Sequence, residues 1–154
     1  MIKYTQGNVL AADTEALVAT VNTMGVIGKG LAFQFKERFP ENFRAYVHAC
    51  GTGDLRIGKV FVTENPSEEG PRYLINFPTK EHWRNPSLME YVEKGLVDLK
   101  RVIQELGIRS IAVPPLGSGV GGLEWEDVRR RILQALGGLD GVEVLVYEPA
   151  PRLF

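Results

Sequence analysis

Nine residues, Pro114-Pro115-Leu116-Gly117-Ser118-Gly119-Val120-Gly121-Gly122, constrain this chain more than any other stretch, because four of the nine are glycine. An apolar run, Ile111-Ala112-Val113, leads in, and a helical pattern beginning at Glu124 leads out. Glycine permits positive φ and lets backbone amides approach a ligand with no side chain between. Such a loop between a strand and a helix N-terminus is an anion site, since free N–H groups and the helix dipole point the same way. The expectation is a phosphate held there, with the rest of the chain presenting the other end of that ligand to a lysine.

The elements around the loop alternate in type. Ile2 to Thr5 reads as a short strand, turned by Gln6-Gly7-Asn8. Ala16 to Val21 is a nearly unbroken apolar run, which suits a strand buried on both faces. It ends at Asn22, a polar residue at the carboxyl end of a central strand, where α/β sheets place ligands. A second glycine loop, Gly25-Val26-Ile27-Gly28-Lys29-Gly30, opens a helix with Leu31, Phe35 and Phe39 on one face, closed by Pro40. Glu41 to Ala49 predicts another short helix. Lys59 to Thr63 and Tyr73 to Phe77 predict strands, and Pro78 to Pro86 a polar and aromatic loop. Ser87 with Glu90 has the form of a capping box. Behind it Leu88, Val92, Leu96, Leu99, Ile103 and Leu106 share a helical face that Gly107 stops. Trp125, Val128, Ile132 and Leu136 mark one more helix, and Val142 to Tyr147 a last strand. Alternating strands and helices predict an α/β three-layer fold on a mixed, mostly parallel sheet of about six strands.

Composition narrows the function classes. The 154 residues show no internal repeat and no low-complexity linker, so the expectation is a single domain over 1–154. That unit is also compatible with being the N-terminal domain of a longer protein. A net charge of −1 gives no global attraction to nucleic acid, so any such contact must be a local patch. The lone cysteine, Cys50, excludes an intrachain disulfide framework and a thiolate-rich metal site, which fits a reducing cytoplasm. No stretch is long and apolar enough to span a membrane, and no signal peptide opens the chain. No His/Cys/carboxylate spacing suggests a metal, and no Gly-x-Ser-x-Gly elbow a serine nucleophile.

Two glycine loops suit a pyrophosphate gripped between them, although each is also compatible with a plain tight turn. Gly117-x-Gly119-x-x-Gly122 matches the dinucleotide fingerprint, with Glu148 at the end of the next strand. That fingerprint normally opens a larger domain, and fewer than forty residues follow it here. A Walker loop is absent, because no Gly-Lys-Ser/Thr closes either glycine stretch. Lys80, following Thr79 after a strand, is the candidate nucleophile toward a carbonyl-like carbon. Lys80, His82, Trp83 and Arg84 form a basic and aromatic cluster able to stack a base and hold a phosphate of single-stranded nucleic acid. The opposing reading packs Trp83 beneath the loop with the charges facing water. His48 reads as structural, and Cys50 as a small buried apolar residue.

Taken together and in order, four pieces resemble the macrodomain family. They are Gln6 to Leu10, Ala19 to Asn22, Met24 to Ala32, and the run from Pro114 to Trp125. Asn76-Phe77-Pro78-Thr79-Lys80 with His82-Trp83-Arg84 is similar to the branch holding the terminal ADP-ribose glycohydrolases and the DarG-type antitoxin macrodomains, which remove ADP-ribose from DNA. The resemblance implies an ADP-ribose cleft across the carboxyl ends of the strands. Asn8 would read the adenine, where most macrodomains carry aspartate; Val9 would neighbour it and Tyr147 cover it. Gly117, Ser118, Gly119, Val120 and Gly121 would wrap the pyrophosphate, with Gly25, Gly28, Lys29, Gly30 and Leu31 closing the far side. Thr20 and Asn22 would face the distal ribose, and Thr79 and the catalytic Lys80 its anomeric carbon.

Terminal glycohydrolases carry a catalytic aspartate at the position matching Gly121, so that group is missing here and Lys80 is the main candidate. It would attack the anomeric carbon to give an imine-type adduct, or position water, or protonate the leaving group. The implied function is a metal-free, cofactor-free glycohydrolase acting on a nucleobase, with thymidine as the expected one, in ADP-ribosylated single-stranded DNA. It would be the cytoplasmic antitoxin to a partner ADP-ribosyltransferase toxin, with no membrane association. A reader that binds ADP-ribose without chemistry, a glycohydrolase acting on ADP-ribosylated protein, and a nicotinamide-dinucleotide enzyme are the rivals.

Overall fold

The computed structural model describes residues 1–150. Among them, six strands and four α-helices follow one another as β1 (Ile2–Thr5), β2 (Ala16–Asn22), α1 (Leu31–Arg38), α2 (Pro40–Thr52), β3 (Phe61–Glu64), β4 (Tyr73–Lys80), α3 (Met89–Leu106), β5 (Ser110–Val113), α4 (Trp125–Leu136) and β6 (Glu143–Tyr147). The sheet order is β1-β6-β5-β2-β4-β3. Every neighbouring pair is parallel except β3 with β4. This is the mixed, mostly parallel α/β sheet that the alternating pattern predicts.

β2 shows why three layers form. Ala16, Leu17 and Val18 are fully buried and Ala19 nearly so. Ala16 and Val18 join an apolar cluster with Val92, Leu96, Leu99 and Ile103 of α3 and Val128 and Ile132 of α4. Leu17 and Ala19 join a second cluster with Phe35 and Phe39. Val21 packs with Tyr46 and Ala49 of α2. Successive side chains on a strand point to opposite faces, so an unbroken apolar run requires cover on both.

Three local readings are corrected. Ser87 and Glu90 form no capping box: α3 begins at Met89 with Leu88 as N-cap and no side-chain cap bond. Leu88 and Leu106 lie outside the buried stripe and are exposed, while Val92, Leu96, Leu99 and Ile103 are buried as expected. The segment after Phe77 is strand rather than loop, since β4 continues through Pro78 and Thr79 to Lys80. Pro78 is tolerated because β3 pairs only as far as Asn76, leaving no partner strand on that side to need its missing N–H.

The ligand end of the sheet is set by the central strands. β2 lies between β5 and β4, and the chain crosses over β2 on its way from β4 to β5. Loops leaving the carboxyl ends of β2, β4 and β5 therefore meet at a reversal of strand order, where open α/β sheets place ligands.

Candidate functional site

Those three loops enclose an open cleft of about 430 Å³. From β2 come Thr20, Val21 and Asn22; from the first glycine loop and α1, Val26 to Lys29, Leu31 and Ala32. β4 and its loop supply Thr79, Lys80, Trp83 and Ser87, and the second glycine loop Pro114, Pro115, Gly117, Ser118 and Gly121. Two cations, Lys29 and Lys80, line the wall, and none of these lining residues carries a carboxylate. The cleft is thus built for an anionic ligand.

Lys80 is placed by a bulge. β2 pairs with β4 residue for residue until Val21 meets Pro78; then Asn22 meets Lys80, and Thr79 is the extra residue. Bulges next to active sites re-aim side chains. Here the bulge leaves Thr79 buried and Lys80 half-buried on the cleft wall. The Lys80 backbone is tied down where its carbonyl accepts from Thr23 N–H at 3.1 Å. Its Nζ lies 3.5 Å from the Trp83 carbonyl oxygen, long for a hydrogen bond, so the amine remains available.

Asn22 shapes the first glycine loop. Its Oδ1 accepts from Met24 N–H at 3.0 Å and from the Tyr46 hydroxyl at 3.1 Å, and its Nδ2 donates to the Val26 carbonyl at 2.8 Å. The residue lines the cleft, and its amide is engaged by the loop. Tyr46 is buried, donates to the Asn22 carbonyl at 2.7 Å, and burial holds its hydroxyl protonated. Gly30 caps α1 without a side-chain bond and with no acidic residue in the first turn, so the first amides of α1 are left for a ligand.

The second loop departs from the simple picture. Gly119–Gly121 forms a 3-10 turn, and α4 starts only at Trp125, behind Glu124, with its first residues outside the cleft wall. The helix dipole at this site therefore comes from α1 alone. Gly117 has φ +70°, and a Cβ there would lie 2.7 Å from Leu123 Cδ1. Gly121 has an ordinary φ, but a Cβ would lie 2.6 Å from Ser87 Oγ. A side chain at 121 would require Ser87 to shift.

The remaining expected residues divide. Thr20, Gly28, Lys29, Leu31, Thr79, Gly117, Ser118 and Gly121 are brought together with Lys80. Gly25, Gly30 and Gly119 belong to the two loops but not to the cleft wall, and the side chain of Val120 is outside the described set. Asn8, Val9 and Tyr147 lie off the cleft. The Asn8 Oδ1 accepts from Leu10 N–H at 2.9 Å and its Nδ2 donates to Gln34 Oε1 at 2.7 Å, so this amide caps a turn and ties it to α1. Val9 and Tyr147 are buried in the same apolar cluster.

His82, Trp83 and Arg84 form a compact group on the rim. The His82 and Trp83 rings stack at 5.5 Å, and the Arg84 guanidinium sits 4.7 Å from the Trp83 centroid. Trp83 is 49% exposed, so it is not packed beneath the loop. Glu148, the acid a dinucleotide enzyme would place on a ribose, instead accepts from the Trp125 indole N–H at 3.2 Å. His48 lies on the exposed side of α2, and Cys50 is half-buried. Ser87 is a polar cleft residue that sequence reasoning missed, because its spacing to Glu90 imitated a helix cap; Val21, Ala32, Pro114 and Pro115 also line the cleft. Among the described residues, no three of His, Cys, Asp and Glu stand close enough to hold a metal.

A glycine-walled cleft at the carboxyl ends of a mixed sheet, with a lysine at its mouth, agrees with the comparisons. Residues 18–132 match the Macro domain family, and the chain belongs to it. Within the family it is 59% identical to the solved macrodomain of Thermus aquaticus DarG, covering 97% of this chain and 99% of that one, with a TM-score of 0.92. It is 59% identical to the curated Thermus aquaticus protein named DNA ADP-ribosyl glycohydrolase, over 97% of this chain and 41% of that protein. Thermosipho africanus DarTG, solved in complex with ADP-ribose, is 33% identical over 99% of this chain and 43% of that one, with a TM-score of 0.91. The chain spans about two fifths of the length of the curated relatives it matches.

Proposed function

We propose that this chain is an ADP-ribosyl glycohydrolase that removes ADP-ribose from a nucleobase of single-stranded DNA. It does so without a metal and reverses a partner ADP-ribosyltransferase. The observation that carries the reading is the position of Lys80. It stands on a bulged strand end, in the wall of a cleft with two glycine loops and no carboxylate. The pyrophosphate lies against Gly117, Ser118 and the α1 N-terminus, beside Lys29. The distal ribose then reaches Thr20, Thr79 and Lys80.

The Lys80 amine has two chemical courses. As a nucleophile it forms a bond to the anomeric carbon while the bond to the base nitrogen breaks and the base takes a proton; sugar ring opening gives an imine that water hydrolyses. As an acid it gives its proton to the departing base while water attacks. Three similarities support the DNA substrate and the transferase partner. Relatives at 55–59% identity are named for DNA de-ADP-ribosylation. A 33%-identical relative is named as a fusion of DNA ADP-ribosyl transferase and glycohydrolase. The exposed aromatic and basic rim fits a single strand.

The test is release of free ADP-ribose from an ADP-ribosylated single-stranded oligonucleotide in buffer containing EDTA. Lys80→Ala should lower kcat by roughly 10²–10⁴-fold, the usual worth of a positioned acid, base or nucleophile, and leave ADP-ribose affinity within a few-fold. Borohydride added during turnover should leave a reduced adduct on Lys80 if the imine forms. Full activity in Lys80→Ala would remove Lys80 from the chemistry, and no release by the wild type under conditions where ADP-ribose binds would reduce the protein to a reader of ADP-ribose.

A further inference from the structure

Two hydroxyls in the cleft wall, those of Ser87 and Ser118, are buried and have no hydrogen-bond partner among the described residues. Ser118 belongs to the glycine loop already assigned to the ligand. Ser87 does not, and it is the more deeply enclosed, at 3% exposure. A buried hydroxyl without a partner is costly and calls for an occupant.

The protein offers that hydroxyl nothing. Ser87 N–H donates to the Gly121 carbonyl at 2.9 Å, which fixes the backbone against the second glycine loop. The loop folds around the side chain with glycine on both sides: added Cβ atoms at Gly121 and Gly117 would lie 2.6 Å from Ser87 Oγ and 3.2 Å from Ser87 Cβ. The other side chains beside Gly117 are those of Leu123 and Val92, both apolar. The residue itself lines the cleft. Ser87 also closes the loop that Lys80 opens, so both ends of that loop stand in the same wall.

We propose that Ser87 Oγ hydrogen-bonds a hydroxyl of the distal ribose and positions that sugar's anomeric carbon against Lys80. This rests on the reading of the cleft as an ADP-ribose site. A neutral hydroxyl that can both donate and accept suits a sugar hydroxyl. Phosphate oxygens are met instead by the cation Lys29 and the α1 amides. Ser87 is thus a positioning residue that makes the cleft prefer ADP-ribose over ADP, which lacks the distal sugar.

Calorimetric titration of the wild type, Ser87→Ala and Ser87→Cys with ADP-ribose and with ADP tests this, each variant first checked by its thermal melt. Ser87→Ala should weaken ADP-ribose binding by roughly 2- to 13-fold, the usual worth of one neutral hydrogen bond, and leave ADP binding within twofold. Ser87→Cys keeps the side-chain volume and offers only a weak donor, so it should fall in the same direction; it carries the test if the alanine variant does not fold. Equal loss for both ligands, or loss for neither, overturns the assignment. Failure of the ADP-ribose reading looks different: the wild type itself would then show no preference for ADP-ribose over ADP.

Discussion

Gly95 lies in the middle of α3, where alanine would normally be the better residue. Replacing an interior helical glycine by alanine gains about 0.5–1 kcal/mol of helix propensity. The packing opposes that gain. A Cβ at position 95 would lie 2.3 Å from Phe77 Cζ and 2.5 Å from Cε1, where carbon atoms prefer about 3.5–4.0 Å. Phe77 is fully buried within β4. Overpacking of this kind costs about 1–3 kcal/mol. Gly95→Ala should therefore be destabilising by about 1–2 kcal/mol, which for a chain of this size lowers Tm by about 2–8 °C. Phe77 precedes Lys80 by three residues on the same strand, so relief of the clash displaces the Lys80 amine. Misplacement by an ångström can cost about 10²-fold in rate, so kcat should fall more than the folded fraction does. Thermal melting and oligonucleotide turnover measure the two effects. Gly95→Ala combined with Phe77→Leu should recover part of the stability, giving a non-zero coupling in a double-mutant cycle. A rise in Tm for Gly95→Ala alone would refute the packing argument.

Three further outcomes concern the rim and the lone thiol. Trp83→Ala should raise KM for the oligonucleotide by about 5- to 150-fold, the range of one base stacked on an aromatic ring, and should weaken free ADP-ribose far less. Arg84→Ala should reduce the slope of log affinity against log salt by about 0.7, one phosphate of a single strand, and an unchanged slope would remove Arg84 from the interface. Burial pushes the Cys50 thiol up, against smaller lowering contributions from hydrogen bonds with Tyr46 and Gly25. Less thiolate is then present at neutral and mildly alkaline pH than for free cysteine, so iodoacetamide should label Cys50 slowly there. The deficit should shrink as pH rises through the folded value and vanish on unfolding; labelling as fast as a free thiol at pH 8 would contradict it.

Most of the fold was legible because its signals are local. The run Ala16 to Val21 announces a doubly covered strand by composition alone, and Val92, Leu96, Leu99 and Ile103 announce the buried stripe of α3 by spacing. The errors fall where the deciding interaction is distant in sequence. Pro78 reads as a loop residue until β3 is seen to stop at Asn76. Ser87 reads as a cap until its amide is found on the Gly121 carbonyl, 34 positions away. The turn that Asn8 caps and the cluster that Tyr147 joins likewise depend on contacts that the spacing of residues does not show. Both glycine loops were visible, but not that only the first delivers a helix N-terminus to the cleft.

The same packing bears on the missing carboxylate. A Cβ at position 121 would crowd Ser87, whose side chain would have to shift to admit it. Where the resemblance implies a carboxylate on the second glycine loop, this cleft wall holds Gly121 beside the neutral Ser87 of the loop that follows Lys80. In a wall whose ionisable groups are Lys29 and Lys80, every proton that moves must pass through an amine, a hydroxyl, water or the substrate. Such a site depends on where Lys80 stands rather than on a tuned acid–base pair. That accounts for a lysine fixed at a strand end, by a bulge on one side and by the Thr23 amide on its carbonyl, instead of on a free loop.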